Sequence, residues 1–180
     1  MKKLNILVVG AGMYVCGRQT DGYGTIMPAL LGWKKSGHLG EVYVAGKSIK
    51  GVAEARAKID ALEAKMDIDC GTKYFPQGAD NSVAYKDAMR AIPKPACAIV
   101  AVPDNLHREV VAAAIRNGLH TLVVKPLVPT SKEALELIKL QKKCGVYCAV
   151  EFHKRLDLAN MKLRDVIESG RIGDPLYFLV

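Results

Sequence analysis

Ile6-Leu-Val-Val-Gly10-Ala-Gly12 decides the fold: an apolar run of strand type breaks directly into two glycines one residue apart, close to the start of the chain. A buried strand ending in such a turn is how dinucleotide-binding domains present backbone N–H groups to a pyrophosphate. Gly10 would allow the tight turn and Gly12 the close approach of backbone to phosphate, so each has its own reason to lack a side chain. The third glycine of the fingerprint is missing. Val15 stands in its place, and Gly17 is the nearest substitute.

Outward from that stretch, strand and helix patterns alternate. Strands are predicted at Leu4–Val9, 41–45, 96–102, 121–124 and 146–150, and helices at 25–35, 52–65, 85–91, 105–117, 131–143 and 158–169. Asp104 is placed to cap a helix that closes at Asn117-Gly118. Thr130 and Glu133 have capping-box spacing, and Asp157 and Gly170 bracket the last helix. Ala98-Ile-Val-Ala-Val102 is apolar on both faces, as a parallel sheet covered by helices requires. The expected class is therefore α/β, a doubly wound, mostly parallel, Rossmann-like sheet. Residues 67–82 read as a loop with one short strand. The first unit, from Leu4 to Gly46, exceeds the roughly 30 residues of an ordinary dinucleotide-binding βαβ unit. Its surplus at 13–25, with Arg18, Asp21, Gly22 and Gly24, reads as a mobile loop over the phosphates or as an ordinary surface loop.

Composition bounds the rest. A chain of 180 residues, 50% hydrophobic, carries one sizeable core and too little for two large domains. The apolar run after Met1-Lys-Lys3 is too short for a signal peptide, and no segment approaches about 18 continuous apolar residues, so a soluble, cytoplasmic protein without a membrane partner is expected. Five cysteines, an odd number, predict reduced thiols. Cys144 and Cys148 lack a partner at zinc spacing and read as buried small hydrophobes, so no metal is expected. The net charge of +8 is mixed with acids, as at Lys132-Glu133, Arg108-Glu109 and Arg164-Asp165. It forms no basic stripe interleaved with aromatics, which argues against nucleic acid.

In NAD enzymes the second strand normally ends in an acid that binds the adenosine ribose. Here it ends in Gly46-Lys47-Ser48. Without a carboxylate, a cation and a hydroxyl at these positions could bind a 2'-phosphate through charge-assisted hydrogen bonds, which favours NADP over NAD. Lys47 and Ser48 read otherwise as plain turn residues.

Three later segments narrow the reading: Val102-Pro-Asp-Asn-Leu-His107, Val124-Lys-Pro-Leu127 and Glu151-Phe-His-Lys-Arg155 fall in order at the carboxyl ends of successive predicted strands, where ligands bind in such sheets. With the glycine turn, the chain resembles the N-terminal half of the glucose-fructose oxidoreductase and inositol dehydrogenase (Gfo/Idh/MocA) family over nearly its whole length. The resemblance implies that Gly10, Gly12, Met13, Tyr14, Lys47, Ser48, Val102, Pro103, Asn105, His107, Lys125 and Pro126 surround the cofactor. His107 would border the nicotinamide or be a packed histidine in the first turn of a helix. Lys125 matches the lysine of the family's Glu-Lys-Pro signature, a proton donor or orienting cation, and Pro126 would hold a tight, cis turn. Val124 replaces the signature glutamate. A lysine ending a buried strand also needs a partner or a lowered pKa, which itself points to a role. His153 and Arg155 would line the substrate end of the cleft, or form a solvated basic turn. Ile172-Gly-Asp-Pro175 resembles the family's crossing into its second domain. The expected organisation is a nucleotide-binding domain at 1–150, followed at 151–180 by a connecting helix and the first strand of a truncated substrate domain.

The resemblance implies hydride transfer between NAD(P) and a sugar, cyclitol or related hydroxy or carbonyl compound. The family's Asp-x-x-x-His element has no counterpart, since no histidine follows His153. The chain is therefore expected to be inactive alone, and a full-length parent to form a homo-oligomer. The alternative is a non-catalytic NADP-binding sensor or regulatory module.

Overall fold

The computed structural model describes residues 3–177 and 179. β1 (Leu4–Val9) is apolar on both faces and buried from Asn5 onward. It takes an inner place in a six-stranded sheet of order β3-β2-β1-β4-β5-β6, with β2 Leu39–Ala45, β3 Lys73–Phe75, β4 Ala96–Val100, β5 His120–Val124 and β6 Cys148–Glu151. β1 pairs parallel with β2 and β4, β2 with β3, and β4 with β5. The order turns back at β1 and β4, the point where such sheets open a crevice at their carboxyl ends.

The period of two along β1 divides its side chains between two cores. Leu7 and Val9 pack with residues of α4 (Ala84–Ala91), α5 (His107–Arg116) and α6 (Ser131–Cys144). Ile6 and Val8 pack with α1 (Met13–Cys16), α2 (Ile26–Lys35) and α3 (Ile49–Met66). Burial of each such Leu, Ile or Val contributes about 1.5–3 kcal/mol. The doubly wound α/β class is the one the alternating pattern predicts.

Boundaries differ where side chains act locally. α3 begins at Ile49 rather than at 52, because the Ser48 hydroxyl accepts the Gly51 N–H at 3.2 Å and caps it. Asp104 caps nothing: residues Asp104–Leu106 form a 3-10 turn, and α5 starts at His107 without a side-chain cap. Thr130 does cap α6, accepting the Glu133 N–H and donating to the Glu133 carboxylate at 3.0 Å. All five cysteines are free; Cys144 is exposed, not buried, since it ends α6 at the surface. Among the described residues no helix is long and apolar enough to cross a membrane.

The chain divides into compact units at 1–150 and 151–180. The second holds a 3-10 turn, His153–Arg155, and α7 (Leu158–Glu168), whose N-cap Asp157 accepts the Asn160 N–H. Of the strand expected at 176–180, Phe178 and Val180 lie outside the described residues, and Leu176, Tyr177 and Leu179 are in no strand.

Candidate functional site

Three strands end level and then part. Gly10 N–H donates to Ala45 O and Ala101 N–H to Val9 O, both at 2.8 Å, and Gly46 N–H donates to Phe75 O at 2.9 Å. Beyond these bonds the chains diverge around a cavity of about 380 Å³, lined by six of the predicted residues: Gly10, Gly12, Lys47, Ser48, Val102 and Pro103. The two glycines differ physically. Gly10 has φ +128°, and a Cβ there would meet the Ala101 carbonyl oxygen at 2.2 Å, whereas a Cβ on Gly12 would meet nothing within 4 Å. Gly10 is thus required by the backbone, and Gly12 keeps the space beside the turn open.

The insertion at 13–25 is not a free loop. Met13–Cys16 forms one helical turn, which ends at Gly17 with φ +72°, where a Cβ would meet Gly22 O at 2.0 Å. The chain then runs as a strap against α3. Lys58 Nζ donates to Thr20 O at 2.6 Å and Gly22 O at 3.3 Å, and the ammonium groups of Lys58 and Lys65 lie over the Tyr23 ring. Thr25 N–H donates to Tyr14 O at 2.8 Å, and α2 resumes there. The strap delivers Arg18 to the cavity, a residue whose contact no local pattern shows, because its carboxylate partner Glu54, 3.5 Å away, lies far along the chain. The Cys16 thiol beneath is pushed up by burial, stays protonated, and donates to Gly12 O at 3.6 Å.

Ser82 and Tyr85 also line the cavity. Burial, and then the neighbouring Glu109 carboxylate, push the Tyr85 hydroxyl up, so it donates to Glu109 at 2.8 Å. At the start of α3 the Ile49 N–H donates to the Asp80 carboxylate at 2.7 Å, which puts one acid close to Lys47 and Ser48. Lys47 itself is exposed.

The remaining predicted residues surround the cavity rather than line it. His107 is fully buried, with Nδ1 at 2.7 Å from Pro126 O and Nε2 at 2.9 Å from Val102 O. Of its two sequence readings, the packed histidine is the one this geometry fits, and its ring meets the cavity lining at Val102. Leu106 lines the cavity where Asn105 was expected; Asn105 is exposed in the 3-10 turn. Met13 is 63% exposed and Tyr14 half-buried on α1. Lys125 follows β5, is exposed, and needs no buried counter-ion, contrary to the expectation for a strand-end lysine; its peptide to Pro126 is cis. In the second unit His153 Nδ1 lies 3.4 Å from Glu151, and the Arg155 guanidinium stacks 4.3 Å over Phe152.

Residues 4–152 match the model of an oxidoreductase family with an NAD-binding Rossmann fold. Among curated relatives, 99 residues are 35% identical to a 1,5-anhydro-D-fructose reductase of Ensifer adhaerens, covering 55% of this chain and 30% of that protein. A stretch of 102 residues is 33% identical to an inositol 2-dehydrogenase of Streptomyces avermitilis, with the same coverage. The solved myo-inositol 2-dehydrogenase of Lactobacillus plantarum superposes with a TM-score of 0.66 at 19% identity, covering 96% of this chain and 43% of that one. The matched part of the chain thus spans under half the length of these relatives.

Proposed function

Because this chain belongs to the Gfo/Idh/MocA family of oxidoreductases, we propose that the cavity at the ends of β1, β2 and β4 holds a nicotinamide dinucleotide, and that the whole protein oxidises or reduces a sugar, cyclitol or related polyol. The observation that carries the reading is the pair Gly10 and Gly12: one is locked against Ala101 by the backbone, the other leaves the cavity open where a Cβ would intrude. The cofactor, when bound, supplies the hydride chemistry. The chain supplies a glycine turn for the pyrophosphate, the Lys47 ammonium and Ser48 hydroxyl for an adenosine 2'-phosphate, and Lys125 as proton donor or orienting cation at the substrate carbonyl. Ser48 Oγ already accepts the Gly51 N–H but retains its own hydroxyl proton to donate. That pair supports NADP, while the nearby Asp80 carboxylate opposes it. His153 and Arg155 are assigned to the substrate side, 1–150 to the nucleotide domain and 151–180 to the connection into a substrate domain. The relatives are named as a reductase and dehydrogenases, which favours an enzyme over a regulatory module. A cytoplasmic location, and a homo-oligomeric full-length protein, belong to the same reading.

Calorimetric titration with NADPH and NADH tests the site. Gly12→Ala is expected to keep stability within about 0.5 kcal/mol, since its Cβ meets no protein atom, yet to weaken the dinucleotide by about tenfold or more. Wild-type affinity in that variant would remove the turn from the binding site. In a form of the protein that turns over a polyol, Lys125→Met is expected to lower kcat by about a hundredfold or more. Unchanged kcat would leave Lys125 without a chemical role.

A further inference from the structure

The strap begins with an arginine that the fold leaves under-partnered. Arg18 lines the same cavity as Lys47 and Ser48. Its Nε is buried with no hydrogen bond, and among the described residues its ion pair is to Glu54, long at 3.5 Å with both side chains partly exposed. It also lies against the first turn of α3: a Cβ on Gly51 would come within 2.5 Å of Arg18 Nη1 and 3.0 Å of the Ser48 hydroxyl oxygen. Gly51 thus leaves room for the guanidinium beside the Ser48 cap. A buried N–H without an acceptor is costly, and a guanidinium offers two parallel donors that match a phosphate.

We propose that Arg18, carried by the inserted strap, is a specificity-determining residue for the adenosine 2'-phosphate of NADP, and that it exchanges Glu54 for that phosphate when the dinucleotide binds. This rests on the reading of the cavity as the nucleotide site and adds a residue from outside the β2–α3 connection. The phosphate, near two negative charges at neutral pH, outcompetes a single carboxylate held at long range. Besides Glu54, the charged groups of this region are Lys47 on the cavity lining, Asp80 on the Ile49 N–H and Lys58 on the strap carbonyls. Their mixed signs leave Arg18 as the donor able to bind the phosphate through two N–H groups. The strap matters because it sets where Arg18 stands: Lys58 holds its turn through the Thr20 and Gly22 carbonyls.

The test is titration of the 180-residue protein and two variants with NADPH and with NADH. Arg18→Met is expected to weaken NADPH by about 10- to 100-fold while leaving NADH within about twofold. Glu54→Gln, which frees Arg18 from its carboxylate, is expected to tighten NADPH by about two- to fivefold, again without moving NADH. The ratio of the two affinities is the decisive readout, because a merely structural arginine would change both cofactors together. If Arg18→Met weakens both equally, or neither, the assignment of Arg18 is overturned while the nucleotide site stands. If the wild-type chain binds neither cofactor, it is the reading of the cavity that fails.

Discussion

Gly10→Ala is expected to cost the fold about 3–5 kcal/mol, combining a strained positive φ at about 1–3 kcal/mol with a backbone overlap of similar size. Gly10 sits at φ +128°, where a side chain is disfavoured whatever the space around it. Space is also absent, because the added Cβ would lie 2.2 Å from Ala101 O and 2.9 Å from Ala101 C. Both atoms belong to backbone, so no rotamer change relieves the overlap. Nor can the neighbours drift apart cheaply. Ala101 N–H is bonded to Val9 O and Gly10 N–H to Ala45 O, so a shift of this turn disturbs β4 on one side and β2 on the other. Chemical denaturation of the variant checks this, with a fallen midpoint and an unchanged slope as the expected result. A loss under 1 kcal/mol would show that the turn relaxes and that Gly10 serves binding alone. Gly12→Ala is the matched control, since it adds the same methyl two residues past Gly10 into open space.

The sequence made β1 legible because its information is local: an apolar run closed by a glycine needs no distant partner to be read. Strand ends were less so. β4 is apolar to Val102, yet its ladder stops at Val100, because after the Ala101 N–H bond to Val9 the chain turns away to line the cavity. Apolarity marks burial, and burial continues past the last hydrogen bond. The segment at 13–25 reads as a mobile or an ordinary surface loop for a related reason. Four residues of α1 are too few to show a helical period, and the groups that pin the strap, Lys58, Lys65 and Glu54, lie on α3, beyond both α2 and β2. Ser48, expected as a phosphate ligand or a plain turn residue, caps α3 in the structure. Arg18 stood in plain view as an inserted cation; what could not be read was that folding would leave its Nε without a partner beside Gly51.

His107→Ala is expected to destabilise the protein by about 3 kcal/mol, from the cavity left at a fully buried site and from two carbonyls that lose their nearest polar neighbour. The two oxygens belong to different connections. Val102 O lies just past β4 and Pro126 O just past β5, so a single imidazole, at 2.9 and 2.7 Å, ties together the two turns that the family resemblance places around the nicotinamide. The imidazole also fills a fully buried site between the two carbonyls. The ring therefore matters for shape and spacing as well as for hydrogen bonds, and the conservative variant separates these contributions. His107→Gln retains a donor and much of the volume, and is expected to recover about half of the loss, which thermal unfolding of the two variants side by side would show. Binding gives the second readout. Because Val102 lines the cavity and His107 does not, dinucleotide affinity should fall in His107→Ala only as far as Val102 moves, by about tenfold or less at temperatures where the variant is folded. Equal stability of His107→Ala and the wild type would mean that the two turns are held by the strands alone, and His107 would then have no part in placing Lys125.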